Sequence, residues 1–139
     1  MIPAYAAPLT AIDQVRVAER DGRLLVTAAK EVTTEGPYLE AHFPGRTVYP
    51  GVFILETVRQ AVAAALGERG GVLADLAAVH SMRFTGAVHP GDKLLAEITI
   101  DQDEPESPVQ VSAQCWRNEI GAEVARLVLE FGFTGGTDA

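Results

Sequence analysis

Cysteine is almost missing: Cys115 stands alone in 139 residues, which excludes an internal disulfide and any zinc site built from cysteines. Basic charge is also scarce, with eleven Lys and Arg against nineteen Asp and Glu and a net charge of −8. A duplex-binding protein needs a basic footprint to displace counterions, so nucleic acid is not an expected partner. No apolar run reaches membrane length. The most hydrophobic stretch, Val52–Leu66, has fifteen residues, two of them charged. As a helix it spans about 22 Å, too short for a bilayer. Met1–Leu9 has neither a basic residue nor the long apolar run of a secretory signal. There is no Gly-x-Ser-x-Gly elbow, so serine-hydrolase chemistry is unsupported. Internal repeats and low-complexity linkers are absent as well. What is present, 47% hydrophobic and 22% charged residues, suits a packed globular protein and not a disordered one. The expectation is one cytoplasmic domain over residues 1–139, with 134–139 as a loose tail.

The negative charge is unevenly placed. Residues 97–139 hold nine acids and two bases, whereas residues 36–96 hold five of each. An acidic partner therefore has a neutral middle to dock on, around Arg46, Arg59, Arg69, Arg83 and Lys93. The pattern of apolar residues supplies the elements. Ile12–Glu19 and Arg23–Val32 are β-prone runs around Asp21-Gly22, a hairpin signal. An irregular stretch, Thr34–Gly51, follows, with prolines at 37, 44 and 50. Val52–Leu66 reads as a helix, with Pro50 just before it and Gly67 just after. Eleven of its fifteen residues are apolar, which predicts burial on nearly all sides. Strand-like runs return at Ala77–Phe84, Lys93–Gln102, Val109–Arg117 and Ala122–Phe133. The fold class expected is α+β, one long buried helix wrapped by an antiparallel sheet of about six strands.

Chemistry concentrates in the loop and helix between His42 and Gln60. Glu56 is an ionisable group near the start of a buried helix, where desolvation is expected to raise its pKa and make it a proton donor near neutrality. Gly51 and Val52 lie at the helix N-terminus, where unpaired N–H groups favour developing negative charge. Glycine there lets a ligand approach the backbone. His42, on the loop leading in, is a candidate base. A base, an acid and an oxyanion-stabilising helix end are the parts needed to eliminate water from a β-hydroxyacyl thioester.

The same segment resembles the signature of the β-hydroxyacyl-acyl-carrier-protein dehydratases (FabZ-like), His-Phe-Pro-Gly-x-Pro-Val-x-Pro-Gly-Val-Leu-x-x-Glu-x-x-x-Gln. His42, Phe43, Pro44, Gly45, Val48, Pro50, Gly51, Val52, Glu56 and Gln60 match in place. A second family motif, Arg-Phe-x-x-x-Val-x-Pro-Gly-Asp, is matched by Arg83, Phe84, Val88, Pro90, Gly91 and Asp92. The resemblance implies a hotdog fold and dimers joined sheet edge to sheet edge. It implies that each site takes its histidine from one subunit and its carboxylate from the other. Carried onto this chain, His42 is the base, Glu56 the acid, and the Gly51 N–H polarises the thioester carbonyl. Val52, Phe53, Tyr49, Gln60 and Phe84 are then expected at the substrate, with Gln60 able to orient the carboxylate one turn away. No metal or organic cofactor is implied, since acyl carrier protein brings the substrate on its own phosphopantetheine.

The chain departs from the family pattern at Thr47, Tyr49, Thr85-Gly86-Ala87 and Ala4–Pro8. These leave fatty-acid and polyketide or polyene biosynthesis both open. Two other functions stay open beside the dehydratase: a hotdog thioesterase, and a subunit that needs a homologous partner. Homodimer, heterodimer and higher oligomer are not distinguished. Bland readings also apply. Glu56 could pair structurally with Arg59, and His80 and His89 suit solvent-exposed or structural places. Cys115 suits a buried hydrophobe, Trp116 and Phe131 suit packing, and the acidic run at 101–106 suits a solvated loop.

Overall fold

A computed structural model describes residues 11–32, 51–69, 72–101 and 108–134. His42, Tyr49, the irregular stretch 34–50 and the acids Asp103, Glu104 and Glu106 lie outside these residues. The first two strands are β1 (Gln14–Arg20) and β2 (Arg23–Glu31). They close around Asp21 and Gly22 with φ of 51° and 79°. Two consecutive positive φ values match the right-handed strand twist in a two-residue hairpin, which explains the Asp-Gly pair. The helix α1 runs Gly51–Leu66, one residue longer than the sequence reading. It ends where the Gly67 N–H bonds the Ala63 carbonyl at 2.8 Å. Then come β3 (Glu68–Arg69), β4 (Val72–Phe84), β5 (Lys93–Asp101), β6 (Val109–Arg117) and β7 (Glu123–Thr134).

All seven strands form one antiparallel sheet in the order β1-β2-β5-β6-β7-β4-β3. The seventh strand relative to expectation is β3, a two-residue edge segment within the glycine-flanked break after the helix. β4 also starts five residues earlier than the Ala77–Phe84 run suggests. Register builds the core in rows. Val26 opposes Ile98, Ile98 opposes Ala113, and Ala113 opposes Leu127. A parallel row of small residues, Ala28, Ala96, Cys115 and Ala125, ends at Phe84 on β4.

The helix lies on the face these rows define. Ile54, Thr57, Val58, Ala61, Val62 and Leu66 are buried, the i, i+3, i+4, i+7 stripe of a one-sided helix. The composition of the helix predicts burial on nearly all sides, but in this chain burial is confined to that stripe, and Val52 is 64% exposed.

Two register shifts in the β4–β7 pairing, between Leu76 and Ala78 and between Val79 and Ser81, change which β4 side chains face the core. Strict alternation would put positions 76, 78, 80 and 82 on one face. The first shift brings Val79 to that face in place of 78 and 80, the second restores the phase, and Val79, Met82 and Phe84 stand opposite the buried Leu129, Leu127 and Ala125. These three stand on the inward face yet keep 43%, 40% and 43% of their surface exposed. They form an apolar ledge beside the helix.

Candidate active site

Glu56 and Gln60 sit one turn apart on α1, the spacing that places side chains together on a helix surface. The structure brings them into contact: Gln60 Nε2 donates to Glu56 Oε2 at 2.8 Å. The other end of the same amide, Oε1, accepts from the Ala11 N–H at 3.0 Å. Gln60 is therefore held at both ends and its amide orientation follows from its partners. The hydroxyl of Thr57, wholly buried, donates to the Ala11 carbonyl at 2.8 Å, with the Phe53 carbonyl as a second acceptor at 3.2 Å. Ala11 thus has both backbone groups satisfied by helix side chains, tying the segment before β1 to the helix.

Arg59, three residues after Glu56, grips the same carboxylate. Its Nε donates to Oε1 at 2.8 Å and its Nη2 to Oε2 at 2.6 Å, a two-point fork. The remaining Nη1 reaches Asp75 Oδ1 on β4 at 3.4 Å. This arrangement corrects the expectation that burial raises the Glu56 pKa. The Arg59 hydrogen bonds hold the carboxyl below its ordinary value, burial acts in the opposite direction but is outweighed, and Gln60 lowers it further. The cause is that Glu56 is only partly buried, with a side-chain exposure of 27%, and a full cation sits against it. Arg59 is correspondingly held more firmly protonated, with Glu56 the main cause and Asp75 a lesser one. The resting group is a carboxylate, not a neutral acid.

Gly51 opens the helix, and no acidic residue lies in the first turn to occupy its N-terminal N–H groups. A Cβ at Gly51 would sit 2.9 Å from Phe84 Cζ and 3.1 Å from Cε2. A side chain here would make the Phe84 ring, from much further along the chain, move aside, a contact that sequence reading does not foresee. Phe84 thus lies at the helix start together with Gly51, while Val52 projects to the surface and Phe53 is partly buried against the core.

The rest of the second motif builds a turn. Asp92 accepts from the His89 N–H at 2.8 Å and from Asn118 Nδ2 at 3.1 Å. These bonds, the His89 one foremost, hold its carboxyl below the ordinary value. Val32 exchanges backbone bonds with this turn, to Asp92 at 3.0 Å and from Gly91 at 2.7 Å. The end of β2 is thereby pinned beside the β4–β5 connection. His80 is half exposed against Glu130, and His89 is half exposed beside Asp92. Cys115 is buried and its thiol is pushed up to about 12, chiefly by desolvation, so it is no nucleophile. Trp116 and Phe131 are core packing. Among the described residues no group of three His, Cys, Asp or Glu is placed to hold a metal ion. Nor is any described helix long and apolar enough to cross a membrane.

Sequence reasoning offers Arg59 only as a structural partner of Glu56 and misses Asp75 altogether. Arg59 carries a readable signal in its i, i+3 spacing from Glu56. Asp75 carries none, because only the folding of β4 across the helix brings it near.

A long helix laid on one antiparallel sheet is the hotdog architecture, and solved structures agree. A hot-dog-like protein from Thermanaerovibrio acidaminovorans superposes with a TM-score of 0.62 at 15% identity, covering 89% of this chain and 83% of that one. One chain of the dehydratase heterocomplex ApeI:P from Xenorhabdus doucetiae gives 0.60 at 14%, covering 84% and 94%. The fluoroacetyl-CoA thioesterase FlK gives 0.63 at 19%, covering 88% and 90%.

Within that fold the chain belongs to the FabA-like family, whose domain model matches residues 4–125. Sequence relatives point the same way. The 3-hydroxyacyl-acyl-carrier-protein dehydratase FabZ of Verminephrobacter eiseniae is 40% identical over 101 residues, covering 68% of this chain and 66% of that protein. The FabZ of Thermus thermophilus is 46% identical over 86 residues, covering 59% of this chain and 60% of that protein. The matched stretch thus spans somewhat under two thirds of these two relatives.

Proposed function

We propose that the protein removes water from β-hydroxyacyl thioesters carried on acyl carrier protein, giving trans-2-enoyl thioesters for fatty-acid or polyketide assembly. The observation that carries this reading is the carboxylate of Glu56, fixed by Gln60 and Arg59 near a helix N-terminus in a FabA-like chain. In this reading His42 takes the proton from the carbon next to the carbonyl. The first-turn N–H groups, Gly51 among them, hold the carbonyl oxygen as it gains charge. Glu56 handles the β-hydroxyl as the carbon–oxygen bond breaks. Double-bond formation expels hydroxide, and the proton gathered by His42 completes the water. The apolar ledge of Val79, Met82 and Phe84 suits the acyl chain or a partner's surface. The reaction as written needs no cofactor, and phosphopantetheine arrives on the carrier.

The same ledge supports assembly through β4. From Ala74 to Phe84 this strand pairs with β7 on one side, and among the described residues no strand pairs with its other edge. An open edge with apolar side chains favours joining to a second sheet. A homodimer is proposed, with His42 of one copy serving the Glu56 of the other, in the cytoplasm. The test is purified protein with β-hydroxyacyl-acyl carrier proteins of several chain lengths, followed by mass spectrometry. Loss of water that disappears in His42→Ala supports the proposal. Release of the acyl group instead would make it a thioesterase, and no change in either would point to a missing homologous subunit.

A further inference from the structure

We propose that Arg59 is a positioning residue of the dehydration: anchored on Asp75 of β4, its guanidinium grips both oxygens of Glu56 and fixes the direction in which that carboxylate meets the substrate's β-hydroxyl. The inference rests on the dehydratase reading and deepens it. Three observations support it. Arg59 uses Nε and Nη2 on the two oxygens of Glu56, at 2.8 and 2.6 Å, which holds the plane of the carboxylate as a point charge could not. Its third nitrogen reaches across to the sheet at 3.4 Å, so the clamp is referenced to β4, which also carries Phe84, and not to the helix alone. Gln60 supplies a further bond to Oε2 and is itself fixed by the Ala11 N–H. Together these bonds define one carboxylate orientation.

Stability alone does not account for this arrangement. Arg59 and Glu56 are partly exposed, at 35% and 27% of their side chains, and such pairs stabilise a fold weakly. Precise orientation of a reacting group has a much larger effect on rate. The groups acting on Glu56 are Arg59 and Gln60 from its own helix, and Asp75 reaches the cluster from β4 through Arg59. With Arg59 in place the carboxylate is ionised at rest, so the proton that completes the water is the one His42 takes from the substrate, and it must reach the departing oxygen as the carbon–oxygen bond breaks. One C–H and one C–O bond break, one C=C and one O–H bond form, and no external acid is consumed.

The experiment compares the full-length protein with Arg59→Ala, Arg59→Lys and Asp75→Asn on a β-hydroxyacyl-acyl carrier protein. Arg59→Ala is expected to lower kcat about 100-fold with KM changed less than about threefold. Arg59→Lys should recover only part of the loss, because an ammonium cannot make the fork. Added guanidinium chloride at millimolar concentration should raise the rate of Arg59→Ala and leave the wild type unchanged. Carbon-13 titration of the Glu56 carboxyl, assigned by its loss in Glu56→Gln, should show a higher midpoint in Arg59→Ala than in the wild type. Asp75→Asn should give a smaller loss than Arg59→Ala. Water loss by the wild type with an undiminished Arg59→Ala overturns this inference and leaves the dehydratase reading standing. So does a loss that neither lysine nor guanidinium relieves and that follows a collapse in thermal stability. An increased rate in Arg59→Ala at neutral pH would show that the protonated acid is the working form and overturn it too. No water loss by the wild type from any substrate removes the dehydratase reading, and this inference with it.

Discussion

Replacing Glu56 by Gln separates a structural carboxylate from a working one, because the two roles predict effects of different size. The substitution keeps shape and removes charge. Glutamine's Oε1 can still accept from Arg59, but the amide nitrogen that replaces Oε2 cannot accept from Arg59 Nη2 or Gln60, which now sit at 2.6 and 2.8 Å. The pair is partly exposed and Arg59 retains Asp75, so the stability at stake is about 1 kcal/mol or less. For a chain of this size that corresponds to about 3 °C in Tm. Loss of a group acting on the proton or hydroxyl in the transition state costs about 10²- to 10⁴-fold in turnover. The assay is mass-spectrometric loss of water from a β-hydroxyacyl-acyl carrier protein, run beside thermal unfolding of the same preparations. The expected result is a turnover collapse with a Tm near that of the wild type. Turnover within about threefold of wild type would refute a catalytic Glu56. A Tm drop well beyond about 10 °C would refute the energetic argument, since it would mean that the cluster holds the helix on the sheet.

The pH dependence of that pair has a definite sign. The Glu56 carboxyl titrates below its ordinary value of 4.5. The stability it adds is therefore fully present above that value and is lost as pH falls through the lower folded pKa. Denaturant midpoints measured from pH 7 down to pH 3 should show the wild type losing its advantage over Glu56→Gln only at the acid end. Gly51→Ala should lower turnover and Tm together, because the new Cβ meets the Phe84 ring at 2.9 Å. Adding Phe84→Leu should restore part of the Tm, giving a non-additive double-mutant cycle. Thr57→Val preserves shape but orphans the Ala11 carbonyl that now accepts at 2.8 Å. A loss of about 1–2 kcal/mol is expected, about 3–6 °C in Tm by calorimetry.

Much of this fold was legible because its signals are local. Asp21-Gly22 marks a turn whose two positive φ values few other residue pairs tolerate. The alternation of Val109, Val111, Ala113 and Cys115 follows from the two-residue period of a strand, and all four are buried. The helix and the Glu56–Gln60 contact follow from the same kind of rule, since i and i+4 side chains meet on one helix face.

Other features depended on distant parts of the chain meeting. Burial of the helix on one stripe could not be read from its composition, because apolar residues also line its outer side. Burial alone predicts a raised pKa for Glu56, yet Arg59 decides its charge state, and Asp75 reaches that arginine only once β4 has crossed to the helix. Phe84 touches Gly51 only once β4 has paired with β7 and lies along the helix. Residue type and spacing thus set turns, strand faces and helix contacts, whose partners are near in the chain. Register and packing set the Arg59–Asp75 contact, the Gly51–Phe84 contact and the open edge, because each depends on atoms that only the folded sheet brings together.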